Sequence, residues 1–179
     1  MAEYVYIGLG SNLEQPAEQI RTAITALKQL PGCRYLGDSG LYLSKPLLLQ
    51  EAGSETGLSQ EKQADYYNAV ALLETTLAPL ALLDHLQAIE KNQGRVRRHR
   101  WDARTIDLDM LMYGALQMET ARLQLPHPGL CQREFVLYPL QHLAEKLQLE
   151  DVNIPGHGRL SEIIKSCAEN ELKYVGEAQ

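Results

Sequence analysis

"RTIDLDMLMYG", residues 104–114, places two aspartates inside an apolar segment that otherwise reads as a buried strand. Successive side chains of a strand point to opposite faces. Asp107 and Asp109 therefore share one face with Thr105 and Leu111, while Ile106, Leu108 and Met110 share the other. The carboxylates sit about 7 Å apart at their Cα atoms, and such a pair, once partly buried, needs protonation, hydrogen-bond donors or a cation. A hard divalent ion such as Mg²⁺ meets that need. A half-solvated strand whose acidic face points to water removes it altogether, so the flanking residues have to decide.

Immediately before the strand, "GRVRRHRWDAR" (94–104) concentrates five arginines, one histidine and the only tryptophan of the chain. Guanidinium forks match phosphate oxygens in two-point hydrogen bonds, and one loop can bring several to a polyphosphate. Alone, the loop is equally consistent with a solvated basic segment or an RNA contact that stacks on Trp101. Followed at once by two metal-capable carboxylates, it has the composition that a magnesium-nucleotide polyphosphate requires, and it points to phosphoryl-type transfer. The common nucleotide machinery is missing: no lysine follows a glycine, which rules out the phosphate-binding loop, and "GLGSNL" lacks the third glycine of a dinucleotide fingerprint. Gly10-Ser11 lies too far upstream of Asp107 for the local nucleotidyltransferase motif, though the fold can still bring the two together.

The remaining composition is that of an ordinary enzyme-sized unit. A chain of 179 residues with net charge -6 fits one domain, residues 1–179, with a core large enough to need no disulfides. The acidic balance argues against a surface built for nucleic acid or anionic membrane. Cys33, Cys131 and Cys167 are odd in number and widely spaced, which suits packing residues in a reducing cytosol. No signal segment or bilayer-length apolar run is present, so a cytoplasmic protein is expected.

Outward from the aspartate strand, periodicity predicts a strand over 3–9, a helix over 16–30, a strand over 33–43, a strand over 66–75 and a helix over 79–92. A return strand over 116–125 and helices over 135–144 and 160–168 follow. Mixed elements without regular βαβ alternation predict an α+β fold with a mainly antiparallel sheet. Residues 44–64 read as a long flexible loop, either a cover for a site or an insertion. His127, between Pro126 and Pro128, lies in a rigid non-helical turn that either aims the ring at a ligand or leaves it at the surface. Tyr66 and Asn68 offer a ring and hydrogen bonds to a flat heterocycle, although a backbone-satisfied asparagine is as economical.

The ordered set "YYNAV", "QAIEKNQGRVR", "RWDARTIDLDMLMYG", "LPHP" and "REFVLYPL" resembles the 6-hydroxymethyl-7,8-dihydropterin pyrophosphokinases of folate biosynthesis, from "YIGLGSNL" to about Ala144. The resemblance implies a ferredoxin-like α+β fold in three layers, a sheet flanked by helices. It also implies transfer of the ATP β,γ-pyrophosphoryl group to the pterin hydroxymethyl oxygen, with AMP as the other product. Two Mg²⁺ ions would be held by Asp107 and Asp109, and Arg95 and Arg104 would stabilise the phosphates within a catalytic loop over 95–104. Gln87, Glu90, Arg97, Arg104, Met110, Arg122, His127 and Arg133 match positions around ATP, with the backbone near Met110 approaching adenine. The pterin would stack between Trp101 and Phe135, with Tyr66 and Asn68 beside it and Ser44, Pro46 and Leu47 closing over it. Small-molecule substrates, a monomer, and neither nucleic acid nor membrane as partner complete the expectation. The chain departs from the family at Asp102-Ala103, where Gly-Pro is common, in "YLSKPLLLQ", which lacks a Gly-Pro pair, and at Pro128 and Glu134.

Overall fold

The computed structural model describes residues 1–13, 15–45, 65–94, 105–167 and 172–179. Strand β1 (Glu3–Ser11) leads to helix α1 (Pro16–Lys28), then β2 (Cys33–Asp38), β3 (Leu41–Ser44), β4 (Tyr66–Thr75), helix α2 (Pro79–Asn92) and β5 (Asp107–Tyr113). Both helices begin on a proline, whose missing N–H and fixed φ suit the first turn. The central sheet runs β3-β4-β1-β5 with β2 also on β4, and every pairing is antiparallel. This is the ferredoxin-like order that the family resemblance implies.

The alternation of each strand divides the core in two. Val5, Ile7, Leu9, Ala69, Ala71, Leu73, Ile106, Leu108 and Met110 face α1 and α2, where Ile20, Ile24, Leu82 and Leu86 are fully buried. Val70, Leu72, Leu111 and Met112 face the other way, onto α3 (Glu134–Lys146), whose Leu137, Leu140 and Leu143 are likewise sealed from solvent. Tyr6 pairs with Met112 and Ile7 with Met110, so Leu111 is the extra residue of a β-bulge. The bulge lets two consecutive residues, Leu111 and Met112, reach the α3 layer.

Three predicted elements differ in the structure. The strand expected over 33–43 is two strands, because Gly40 turns with φ +78° and Ser39 bonds Val70 through both its amide and its hydroxyl. The return strand over 116–125 shrinks to a separate hairpin, β6 (Met118–Glu119) and β7 (Gln124–Leu125), closed by Thr120 and Leu123. The helix over 160–168 is shorter, α4 (Leu160–Ile164), after a second small hairpin of β8 (Asn153–Ile154) and β9 (Gly158–Arg159). The sequence gives no sign of β10 (Lys173–Gly176), a short exposed run that pairs with β3 and extends the sheet, with its register broken between Tyr174 and Gly176. Beyond it Ala178 is buried against the α1 side, its carbonyl accepting from Arg21 Nε at 2.8 Å.

Gly40 is the corner of this arrangement. A Cβ there would come within 2.9 Å of both the Gly176 carbonyl and the Tyr174 ring. Gly40→Ala should therefore lower the melting temperature by several degrees, since strain of about 1–3 kcal/mol corresponds to roughly 2–4 °C per kcal/mol at this size. An unchanged thermal melt would remove the claim. The three cysteines are half-buried, outside any disulfide, and packed beside the cores. Among the described residues no helix is long and apolar enough to cross a membrane.

Candidate active site

The carboxylates project from β5 on the α3 side of the sheet, sharing the face of Leu111. Behind them Ile106 and Leu108 are buried at 0% and 3% exposure and anchor the strand. Directly across on β1, Asp107 pairs with Gly10 and Asp109 with Gly8, so the floor beside both carboxylates carries no side chain. Ser11 Oγ donates to the Thr105 carbonyl. That bond brings the Gly10-Ser11 pair, nearly a hundred residues upstream, beside the start of β5.

The turn after β7 approaches from the edge of β5. His127 donates its amide to the Leu111 carbonyl at 2.8 Å, and the peptide preceding Pro126 is cis. His127 Nδ1 accepts from the Gly129 amide at 3.0 Å, which leaves Nε2 as the protonated nitrogen of the neutral ring. Nε2 faces Asp109 Oδ2 across 4.0 Å. Burial holds the imidazole below its ordinary pKa, Arg133 pushes the same way, and Asp109 opposes both. A neutral, oriented donor therefore sits beside the carboxylate. Arg133 lies over the Phe135 ring at 5.8 Å, and a Cβ on Gly129 would come within 2.6 Å of Arg133 Nε. The start of α3 thus places a cation and an aromatic ring next to His127.

On the other side, Asn68 is 5% exposed and donates Nδ2 to Ser44 Oγ at 2.7 Å and to the Tyr66 carbonyl at 3.3 Å. Ser44 is the last residue of β3 rather than part of a loop, and it pairs with Tyr66. The strand register therefore brings Ser44 and Tyr66 beside Asn68, and from Asn68 the row continues through Gly10 to Asp107.

The proposed nucleotide contacts divide. Arg122 Nη2 reaches Asp84 Oδ1 at 2.6 Å and Gln87 Oε1 at 3.2 Å, so the outer face of α2 holds this arginine. Glu90, one turn on, is 4% exposed. The Met110 side chain lies in the α1/α2 core at 2% exposure, on the face opposite the carboxylates, because β5 alternates. Only its backbone is left to approach adenine. Pro46, Leu47, Arg95, Arg97, Trp101 and Arg104 lie outside the described residues, as do residues 46–64 of the loop expected over 44–64 and all of the expected catalytic loop over 95–104.

Mg²⁺ is commonly held by one or two carboxylates, the remaining positions going to water and substrate phosphates. Asp107 and Asp109, both half-buried with hard oxygen donors on one face, fit that pattern. No group of three or more acidic, histidine or cysteine ligands occurs among the described residues. A complete protein cage is therefore not what these residues offer, and a metal shared with a polyphosphate suits them better.

Residues 6–145 match the family described as 7,8-dihydro-6-hydroxymethylpterin-pyrophosphokinase. The chain belongs to this family. The 2-amino-4-hydroxy-6-hydroxymethyldihydropteridine pyrophosphokinase of Pseudomonas aeruginosa is 45% identical over 168 residues, 93% of each chain. Its counterpart in Haemophilus influenzae is 43% identical over 167 residues, covering 93% of this chain and 94% of the relative. The crystal structure of wild-type Plasmodium falciparum HPPK-DHPS with pteroate superimposes with a TM-score of 0.63 at 14% identity. That match covers 92% of this chain but only 42% of the Plasmodium chain, and it attests the fold.

Within this pyrophosphokinase family member, four residues beside the candidate site are not among the site residues expected from the sequence. Asp84 holds Arg122, and its only sequence signal is its position one turn before Gln87 on the same helix. Gly129 fixes the His127 tautomer through a backbone amide, which has no signature in residue identity. Gly8 and Gly10 do have one: glycine at alternate positions of a strand leaves one face bare, and the face is that of the carboxylates.

Proposed function

We propose that this chain carries out the reaction that names its family, moving pyrophosphate from ATP to 6-hydroxymethyl-7,8-dihydropterin. The hydroxymethyl oxygen attacks the β-phosphorus, the bond from that phosphorus to the α,β-bridging oxygen breaks, AMP departs with the bridging oxygen, and the hydroxyl proton is released. Asp107 and Asp109 would hold two Mg²⁺ ions. When bound, Mg²⁺ neutralises the polyphosphate and stabilises charge on the transferring group.

The chain's own residues supply positioning, which is most of what phosphoryl chemistry needs. His127 Nε2–H would donate to a phosphate oxygen beside Asp109, and Arg133 would add a second cationic contact. Arg95, Arg97 and Arg104 would neutralise the remaining phosphate charge. Asn68, Tyr66, Ser44, Pro46 and Leu47 would seat the pterin, with Phe135 and Trp101 stacking on its faces. Gln87, Glu90 and Arg122 would border the nucleotide, together with the backbone at Met110. The carboxylate-bearing face supports this reading most directly, because a bare glycine floor lies on one side of the acid pair and a neutral histidine donor on the other. The unit acts as a cytoplasmic monomer spanning residues 1–179, without nucleic-acid or membrane partners.

A turnover assay that resolves nucleotides provides the test. Purified protein with ATP, Mg²⁺ and hydroxymethyl-dihydropterin should yield AMP and a diphosphorylated pterin in equal amounts, and none without Mg²⁺. Formation of ADP, or turnover indifferent to the pterin, would sink the proposal. Arg122→Ala should raise KM for ATP several-fold with little change in the melt, because exposed ion pairs contribute only about 0–1 kcal/mol. An unchanged KM would take Arg122 out of the nucleotide site.

A further inference from the structure

Glycines in strands usually have a reason within the fold: a left-handed φ, a bulge, or a neighbour too close for a Cβ. Gly8 has one, since a Cβ there would meet Leu111 Cδ2 at 3.3 Å. Among the described residues Gly10 has none of these. Its φ lies outside the left-handed region, and it sits in the regular part of both strand pairings. Among the described residues a Cβ would meet only Asn68 Oδ1 at 3.6 Å and the Tyr67 carbonyl at 3.9 Å, both ordinary contact distances. Gly10 is half-buried, so its open face is reachable.

Its place in the register supplies a different reason. Gly10 is flanked directly by Asn68 on β4 and by Asp107 on β5, and the three residues face the same side. Neighbouring strands lie close to 5 Å apart, so Asn68 and Asp107 are about 10 Å apart at Cα with the bare position midway. That span suits a planar two-ring heterocycle with a one-carbon arm: the ring reads the Asn68 amide and the arm oxygen reaches the carboxylate. The Asn68 Nδ2 is occupied by Ser44 and Tyr66, which turns Oδ1 toward the gap above Gly10.

We propose that Gly10 is a specificity-determining position, kept without a side chain so that the pterin fits into the gap between Asn68 and Asp107. This rests on the pyrophosphokinase reading above. A methyl group at position 10 lifts the ring from the Asn68 amide and moves the hydroxymethyl oxygen away from the carboxylates, yet clashes with no part of the described fold. The nucleotide's contacts, on the His127 and α2 sides, are left alone.

Gly10→Ala and the parent are compared by calorimetric binding of hydroxymethyl-dihydropterin, in the presence of Mg²⁺ and an ATP analogue with a methylene between the α- and β-phosphorus. Binding of the analogue itself and thermal melts are measured alongside. The variant should melt at or above the parent temperature, since alanine is better than glycine inside a strand. Its analogue affinity should stay within about twofold, and its pterin dissociation constant should rise about tenfold or more, the scale of one misplaced methyl in a fitted site. A smaller rise overturns the proposal. So does a lowered melting temperature, which would mean that the fold itself fills or needs the space. If the parent fails to bind the pterin, the functional reading falls with it, whereas equal tight binding by both proteins removes Gly10 alone.

Discussion

Asp109→Asn and Asp107→Asn should each reduce pyrophosphoryl transfer by at least about a thousand-fold, because the charge that neutralises and positions a polyphosphate is usually the largest single contribution to such catalysis. The fold should survive. Both side chains are half-buried at the edge of the core, the Asp109 side chain is 46% exposed, and the neighbouring His127 Nε2 stands 4.0 Å away. Removing one member of a like-charged pair also relieves repulsion, so the melting temperature should hold or rise slightly. Turnover against Mg²⁺ concentration provides the readout. The variants should need far more metal to reach even their residual rate, and a rate within about tenfold of the parent would take the metal assignment away.

Asn68→Ala should produce the second-largest effect, and should do so on two scales at once. The amide is buried and bonds Ser44 Oγ, itself buried, and the Tyr66 carbonyl. Truncation leaves those groups without their donor at a cost of about 1–3 kcal/mol, which lowers the melting temperature by several degrees. It also removes the polar group proposed to read the heterocycle, and sites built on buried hydrogen bonds discriminate steeply. Pterin affinity should fall about a hundred-fold while binding of the ATP analogue changes little. Equal losses for both ligands would mean that the site had collapsed, and an unchanged pterin affinity would show that Asn68 serves only the strand.

What the sequence disclosed follows from how local each signal is. The carboxylates, their shared face and the buried Ile106 and Leu108 were legible because alternation along β5 is a property of adjacent residues. The bulge at Leu111 was not, since it depends on which β1 residue lies opposite. The break at Ser39-Gly40 hid for a similar reason: Ser39 is held by Val70 on another strand. The same alternation that turns Asp109 outward turns the Met110 side chain into the core, which agrees with the expectation that only the backbone there would approach adenine. Strand β10 had too few apolar residues to announce itself; its pairing comes from the exposed backbone of β3.

That last strand also bears on solubility. Without it, β3 would present a row of open amides and carbonyls to any other extended chain, the geometry from which intermolecular sheets grow. The strand takes those bonds and then makes a poor template in its turn: it is short, begins on an exposed Lys173, and loses register before Gly176, whose φ of +129° bends the backbone away. A nick that released residues 173–179 should therefore open the β3 edge and promote self-association, read as a concentration-dependent shift in size-exclusion chromatography.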